Sequence, residues 1–350
     1  MPSSCPPENG VGLYDPCTTP GWDDWIGRLP GACFFHGRAW AEVLVRVYGY
    51  RPFSLVLPSA GSPRALLSLM EVQSALTGKR GVSLPFADRA PALAPDEASF
   101  ERLFAEAKAL GDRRSWRAIE LRGAPLPGET PFSAAFLEHV LPLEREEKDL
   151  FRTLDSATRR NVNRARKESL EVRFGAGSEE MRAFFRMHCR TRRDHGLPPQ
   201  PWRFFEVIRE RVIAPGGGII ASAYHGGAPA SAAVFFFFRD QVLYKFGASE
   251  KSLLRLRPNN LLFWEAIRRF RGEGFRSLHF GRTDRDNEGL ARFKRGWGAE
   301  ESEIRYHRFD LKRGAFDGGR NGPASSYPIF RLLPLPVLRL IGACLYRHFG

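Results

Sequence analysis

Long apolar runs are missing from this 350-residue chain. No uncharged apolar stretch reaches the ~18 residues that an ordinary membrane-spanning helix needs, so no transmembrane helix is expected. The start, Met1-Pro2-Ser3-Ser4-Cys5-Pro6-Pro7, lacks a basic region followed by an apolar run and does not read as a secretory signal. Cysteine is scarce and odd in number, at positions 5, 17, 33, 189 and 344, with no C-x-x-C pair. That argues against a disulfide framework and for a reducing, cytoplasmic compartment. The eight histidines form neither H-E-x-x-H nor a Cys/His cluster, so metal catalysis has no sequence support. A G-x-S-x-G elbow, a Walker sequence and a G-x-G-x-x-G opening a helix after a strand are also absent, which weakens hydrolase, P-loop and dinucleotide readings. Lysine supplies only 8 of the 53 basic residues; the rest are arginine.

What is present is apolar bulk and positive charge. Hydrophobic residues make up 43% and charged residues 26%, enough for a large core. The length fits two domains. The net charge of +14 favours anionic partners: nucleic acid, phosphorylated ligands or an anionic membrane face.

Periodicity places the elements. Trp40, Val43, Leu44 and Val47 mark a helix over 36–47. Segments 53–57 and 65–72 form a hairpin around Ser59-Ala60-Gly61-Ser62-Pro63, and 81–86 is a short strand. A helix over 97–110 ends at Gly111, and strands follow at 116–121 and 136–143. The second half repeats this order. It has a basic helix over 156–169, a helix over 179–194, a three-strand meander over 219–246, a helix over 259–270, and strands at 277–280 and 304–311. The repetition predicts two copies of one α/β unit. The expected layout is an irregular lead-in over 1–33, domains over 34–145 and 146–312, a Gly/Ser/Asn-rich linker over 313–326, and an amphipathic segment over 327–350. That last segment reads either as a helix packed on the second domain or as one lying on a membrane surface with its arginines at the headgroups.

Three constellations could carry chemistry. Thr158-Arg159-Arg160-Asn161-Val162-Asn163-Arg164-Ala165-Arg166-Lys167 puts five cations on a helix with no acid among them. It reads as a grip on phosphates, or as a solvated face paired to Glu144, Glu146, Glu147 and Asp149. In Arg257-Pro258-Asn259-Asn260, Asn259 is a plausible N-cap opening a helix whose free N–H groups could receive an anion. Finally, Phe280-Gly281-Arg282-Thr283-Asp284 follows a strand and leads to Gly289-Leu290-Ala291-Arg292-Phe293-Lys294-Arg295-Gly296-Trp297-Gly298. Lys294, a cation between aromatics, could stabilise an oxyanion in acyl transfer.

Taken together, these strings resemble the FemAB-type branch of the GNAT acyltransferase superfamily. The basic helix is similar to that branch's R-x-x-x-x-x-A-x-K helix. Tyr244-Lys245-Phe246-Gly247-Ala248-Ser249 with Pro258-Asn259-Asn260-Leu261-Leu262 resembles its strand-to-helix crossing. Phe280-Gly281-Arg282 resembles its F-G-R strand end, and 289–298 its G-L-x-x-F-K-x-x-W-G signature. Leu84-Pro85-Phe86-Ala87-Asp88 is a weaker match to an L-P-F-x-D loop. The overall layout looks more like the FemAB-like proteins that accompany exopolysaccharide and PEP-CTERM export systems.

The resemblance covers about residues 34–311 and implies an α/β (α+β) fold of tandem GNAT-like domains, each a mixed, mostly antiparallel sheet flanked by helices. It implies transfer of an acyl or aminoacyl group to an amine in cell-envelope or exopolysaccharide biosynthesis. No cofactor would be tightly bound. The donor would be acyl-CoA or aminoacyl-tRNA, and the acceptor an amine on a lipid- or sugar-linked molecule. Phe293 and Lys294 carry over to the reacting ester; independently of the resemblance, Asp284 or Asp88 could orient or deprotonate the amine. Arg159, Arg160, Asn163 and Lys167 would bind phosphates, and Lys245, Asn259, Asn260, Arg282 and Trp297 complete the binding set. Two features of the family are missing: a long heptad arm, and the Q/R-x-x-G-x-G/A loop that wraps the CoA pyrophosphate. The nearest string, Arg285-Asp286-Asn287-Glu288-Gly289, has one residue too many before glycine, so both donors stay open. The competing expectation is a non-catalytic GNAT-like module docking on anionic membrane or nucleic acid, or an accessory subunit of an export machine.

Overall fold

The periodic segments fold much where the sequence puts them. The computed structural model describes residues 10–59, 62–123, 126, 129–319 and 327–350. The first half of the chain contributes β1 (Gly12–Tyr14), α1 (Trp22–Gly27), α2 (Arg38–Tyr48), β2 (Arg51–Ser59), β3 (Ser62–Ser74), β4 (Gly78–Val82), α3 (Glu97–Arg114), β5 (Ala118–Arg122) and β6 (Ala134–Pro142). The second contributes α4 (Glu147–Thr153), α5 (Ser156–Ala165), β7 (Leu170–Gly175), α6 (Ser178–Asp194), α7 (Trp202–Ile208), β8 (Gly218–His225), β9 (Ala228–Phe238) and β10 (Gln241–Ser249). It continues with α8 (Pro258–Gly272), β11 (Ser277–Asp284), α9 (Glu288–Arg295), β12 (Glu300–Asp310), β13 (Ala315–Phe316) and α10 (Leu335–Leu345).

Two compact units result, and neither is continuous in sequence. Among the described residues, one holds 10–135, 304–319 and 345–350; the other holds 136–303 and 327–344. Most of β6 therefore belongs to the second unit, and most of β12, with β13, to the first. Within the first unit, β1 to β4 pair antiparallel in order, β4 pairs parallel with β5, and β5 pairs antiparallel with β12. Within the second, β7 to β10 pair antiparallel in order, β10 pairs parallel with β11, and β11 pairs antiparallel with β6. Each unit is thus a mixed, mostly antiparallel array flanked by helices.

Helix periodicity explains each core. In the first unit α3 lays Leu103, Phe104, Ala107 and Leu110 on Leu55, Leu57, Leu67 and Leu69 of the strands. Its start is capped by Asp96, whose side chain accepts the Ser99 N–H at 2.7 Å. In the second unit α8 buries Leu262, Phe263, Ala266, Ile267 and Phe270 against Phe235, Val242, Leu278 and Phe280.

Several boundaries move for physical reasons. The strand expected over 81–86 stops at Val82, because Leu84 and Phe86 take φ of +51° and +59°. The helix expected to end at Gly111 runs on to Arg114. The basic helix ends at Ala165 rather than Ser169, and β7 and α7 lie where no element was expected. The lead-in is structured from residue 10: β1 pairs with β2, and Trp22 and Ile26 are buried. Phe316, inside the expected linker, packs edge-on to Phe309 at 5.1 Å as β13 joins β12. Residues 1–9 of the lead-in, including Cys5, residues 60–61 of the hairpin turn, and 320–326 of the linker lie outside the described residues.

Candidate active site

The second unit opens between its two parallel strands. β10 and β11 pair only over Gln241–Leu243 and Ser277–His279. Beyond that point each strand carries a bulge. In β10 the register with β9 slips between Tyr244 and Phe246, leaving Lys245 as the extra residue. In β11 the register with β6 slips between His279 and Arg282, and Gly281 takes φ +67°, which a residue with a Cβ adopts only at a cost.

Lys294 of α9 fills the second bulge. It is 2% exposed, and its ammonium donates to the carbonyls of Gly281 at 2.8 Å and Arg282 at 3.2 Å. A bulge withdraws carbonyls from the ladder, and a buried cation with matched acceptors satisfies them. The F-G-R and F-K strings are therefore one structural device: a glycine that permits the bulge and a lysine that ties α9 to it.

Beyond the parting, β10 lines a cavity of about 510 Å³, to which Ala232 of β9 also contributes. Tyr244, Gly247, Ala248 and Ser249 of β10 line one side, Asn259 and Phe263 of α8 another, and Leu290 and Phe293 of α9 a third. Thr191, Asp194 and His195, at the end of α6, form the rim with Lys251 and Leu254. Ser249 donates its hydroxyl proton to Asn259 Oδ1 at 3.0 Å, tying the end of β10 to the start of α8. The Ser249 N–H reaches Thr191 Oγ1 at 3.4 Å.

Burial shifts the ionisation of two of the lining groups. Burial pushes the Tyr244 phenol up to about 12, so it stays protonated and is a hydrogen-bond donor. Its hydroxyl occupies the space where a Cβ of residue 247 would stand, which is why position 247 is glycine. His195 is held below the ordinary imidazole range by partial burial, then by the Arg192 and Arg331 guanidinium groups, with Asp194 opposing. It is a neutral proton acceptor near pH 7.

The cavity gathers some of the residues expected from sequence and not others. Asn259 and Phe293 line it. Asn259 is not the helix cap, however; Arg257, at φ +60°, is. Asn260 and Trp297 are buried, Trp297 fully within the core of the second unit, so they stand behind the wall and not in it. Lys245 leans over Phe246 at 5.7 Å, and Arg282 over Phe136 at 4.3 Å. Asp284 is exposed at the end of β11, away from the lining. Asp88 belongs to the first unit, where its carbonyl accepts the Tyr306 hydroxyl at 2.7 Å. Tyr244, Ser249, Thr191 and His195 are the functional candidates that sequence reasoning passed over. Tyr244 sat inside a string already singled out, and His195 directly follows a helix that was placed correctly.

In the basic helix Arg164 pairs with Glu168 at 4.0 Å and Arg166 lies over Phe151 at 5.4 Å. The start of the helix is fixed beside α9, where the Asp155 N–H donates to the Gly296 carbonyl at 3.0 Å. The acids that might have neutralised it are engaged elsewhere: Glu144 with Arg276, Glu146 with Arg271, Glu147 with Arg268 and Asp149 with Arg152. Arg160, Asn163 and Lys167 are exposed and Arg159 half-buried. Among the described residues, no carboxylate forms an ion pair with Arg159, Arg160 or Lys167. None of these four residues lines the cavity.

Residues 156–295 match the family model described as an acetyltransferase (GNAT) domain. No curated protein matches the chain. Among solved structures it is similar to FemX, with 14% identity and a TM-score of 0.65, covering 81% of this chain and 94% of that one. A tandem GNAT protein from the clavulanic acid biosynthesis pathway aligns with 14% identity and a TM-score of 0.50, over 83% and 94% of the two chains. L-PGS from Bacillus licheniformis aligns with 13% identity and a TM-score of 0.50, over 87% and 92%. These likenesses are likenesses of fold, and they agree with the tandem GNAT-like architecture expected from sequence.

Proposed function

We propose that this GNAT acetyltransferase domain is catalytic, an N-acyltransferase that moves an acyl or aminoacyl group from an activated, phosphate-bearing donor to an amine. The observation that carries the reading is the cavity between the end of β10, α8 and α9, with a protonated phenol inside it and a neutral imidazole on its rim. The amine nitrogen attacks the acyl carbonyl carbon, the C–N bond forms, and the C–S or C–O bond to the donor breaks. Negative charge gathers on the carbonyl oxygen, where Tyr244 donates a hydrogen bond in a poorly solvated site. The amine proton becomes acidic as the C–N bond forms, and His195 accepts it. The departing thiolate or ribose oxygen is protonated from water.

Lys294 acts as a positioning residue. Its two bonds to the β11 bulge hold α9, and so Phe293 and Leu290, against the acyl group. The donor's phosphates meet Lys251, Arg255 and Arg257, which crowd a glycine-free crossing from β10 to α8. Arg159, Arg160 and Lys167 extend that grip. The acceptor amine belongs to cell-envelope or exopolysaccharide biosynthesis, a reading supported by the FemAB-type strings and by the likeness to FemX.

The test is a thermal shift series followed by turnover. CoA, acyl-CoA, uncharged tRNA and aminoacyl-tRNA are compared with a polyanion control, and the stabilising donor is then offered to amine acceptors with mass detection of the product. Stabilisation by one donor class with product formation is expected. Equal shifts from every polyanion, erased by salt and without product, would leave a binding module instead.

A further inference from the structure

The segment after residue 326 has an inner and an outer face with different chemistry. The inner face is clamped to the second unit. Its Tyr327 N–H donates to the Gly196 carbonyl at 2.9 Å, Leu338 is fully buried, and a Cβ on Gly342 would overlap the Pro199 carbonyl. Arg339 lies over the Phe185 ring of α6 at 5.3 Å. The outer face leaves Ile329 63%, Leu332 82%, Val337 44% and Leu340 66% exposed. Scattered surface leucines need no explanation, but four large apolar side chains on one short segment do.

Charge decides which occupant fits. The stretch 327–344 contains Arg331 and Arg339 and no acidic residue. In the same unit α6 carries Arg182, Arg186 and Arg190 four residues apart along an exposed stripe. A second copy seated on this face about a two-fold axis would bring like charges together. An anionic lipid surface instead accepts both the apolar side chains and the guanidinium groups, as in helices that lie in the interface plane. No described helix is long and apolar enough to cross a membrane.

We propose that residues 327–344 dock the second unit on an anionic bilayer, with Ile329, Leu332, Val337 and Leu340 entering the interface and Arg331 at the phosphates. The docking segment begins beside the cavity, since Tyr327 is fixed to Gly196 and His195 is on the rim. Resting on the acyltransferase reading, this makes the acceptor an amine borne at the headgroup level of a membrane lipid or lipid-linked molecule.

The experiment is co-sedimentation of the full chain with vesicles of phosphatidylcholine, or of phosphatidylcholine with phosphatidylglycerol. Binding to the anionic vesicles and not to the neutral ones is expected, with Leu332→Asp/Leu340→Asp about tenfold weaker at an unchanged melting temperature. Leu332→Ser/Leu340→Ser serves as a second, milder pair. Wild-type protein that stays in the supernatant, or a double variant that binds as well as wild type, overturns the proposal. So does a concentration-dependent dimer that the double variant abolishes. The assay involves no acyl transfer, so its failure leaves the enzymatic reading standing, and failure of turnover leaves the docking result standing.

Discussion

The two units follow one topology, an antiparallel meander, a helix and a parallel strand, yet they treat the gap after that strand in opposite ways. In the second unit β10 and β11 part after three residue pairs, and beyond that point β10 lines a cavity with both apolar and polar walls. In the first unit β4 and β5 also pair over three residues, but the chain then turns at Leu84–Phe86 and comes back along β5. The Ser83 N–H donates to the Glu120 carbonyl at 2.7 Å, and the Ala90 N–H to the Arg122 carbonyl at 2.9 Å. Ser83 Oγ bridges the turn, donating to the Ala90 carbonyl at 3.0 Å and accepting from the Arg122 N–H at 2.8 Å. Trp40 seals it, its indole N–H on the Pro85 carbonyl at 3.2 Å and its ring against Phe35 at 5.2 Å. A splayed parallel pair frees backbone groups that must find partners. The first unit satisfies them with a returning segment of chain, and the second with the Lys294 ammonium at the β11 bulge, beside a cavity that stays open. The L-P-F-x-D string thus forms the turn that brings the chain back along β5.

This contrast can be broken experimentally, beginning with the largest effect. Trp40→Ala should cost about 3–5 kcal/mol of stability, read by denaturant unfolding, because a fully buried aromatic and its hydrogen bond are lost together. A loss under about 1 kcal/mol would mean that the first unit's gap is not held by this plug. Tyr244→Phe should lower kcat by about 10²–10³ with little change in melting temperature, since it removes one donor from the cavity. An equal fall in kcat on Asp88→Asn, with the fold intact, would show that the first unit takes part in the chemistry and would dissolve the distinction.

Lys294→Met should destabilise the protein by about 2 kcal/mol, because two buried carbonyls of the β11 bulge lose their donor. Turnover should fall with it as α9 loosens. A folded Lys294→Met variant with wild-type rate would refute every role given to this residue. The smallest effect concerns pH. The His195 imidazole must be unprotonated to accept a proton, and its pKa lies below the ordinary 6.5. Activity should therefore hold as pH falls to that value and decline only at more acid pH. His195→Gln should lower the plateau about tenfold and flatten that acid limb. An acid limb that survives the substitution would assign it to another group.

Much of this was legible in the sequence because it depends on neighbours along the chain. The spacing of Leu103, Phe104, Ala107 and Leu110 marks the buried face of α3, and runs of alternating or β-branched residues mark the meanders. The string around Phe293 and Lys294 drew attention for its residue types, and it proved to hold both a cavity wall and a bulge tie. Residue type alone could not say which side of the wall a group stands on. Trp297 and Asn260 were expected to touch substrate and are buried behind it, whereas Tyr244, one residue before the expected Lys245, points into the space. In a strand, adjacent side chains face opposite ways, and the bulge at Lys245 changes which one faces the gap.

The sequence by itself determined the kinds of element and their order, the excess of positive charge, the repeated unit, and the glycine and lysine that a bulge requires. These are properties of local sterics, periodicity and composition. Tertiary structure alone decided that β6 pairs in the second unit and β12 in the first, that the chain returns along β5 in one unit while a cavity stays open beside β10 in the other, and that His195 comes to the rim of the cavity holding Tyr244. A strand edge offers the same row of donors and acceptors whatever its sequence, so its partner is chosen by packing among residues far apart in the chain. That choice cannot be read from spacing.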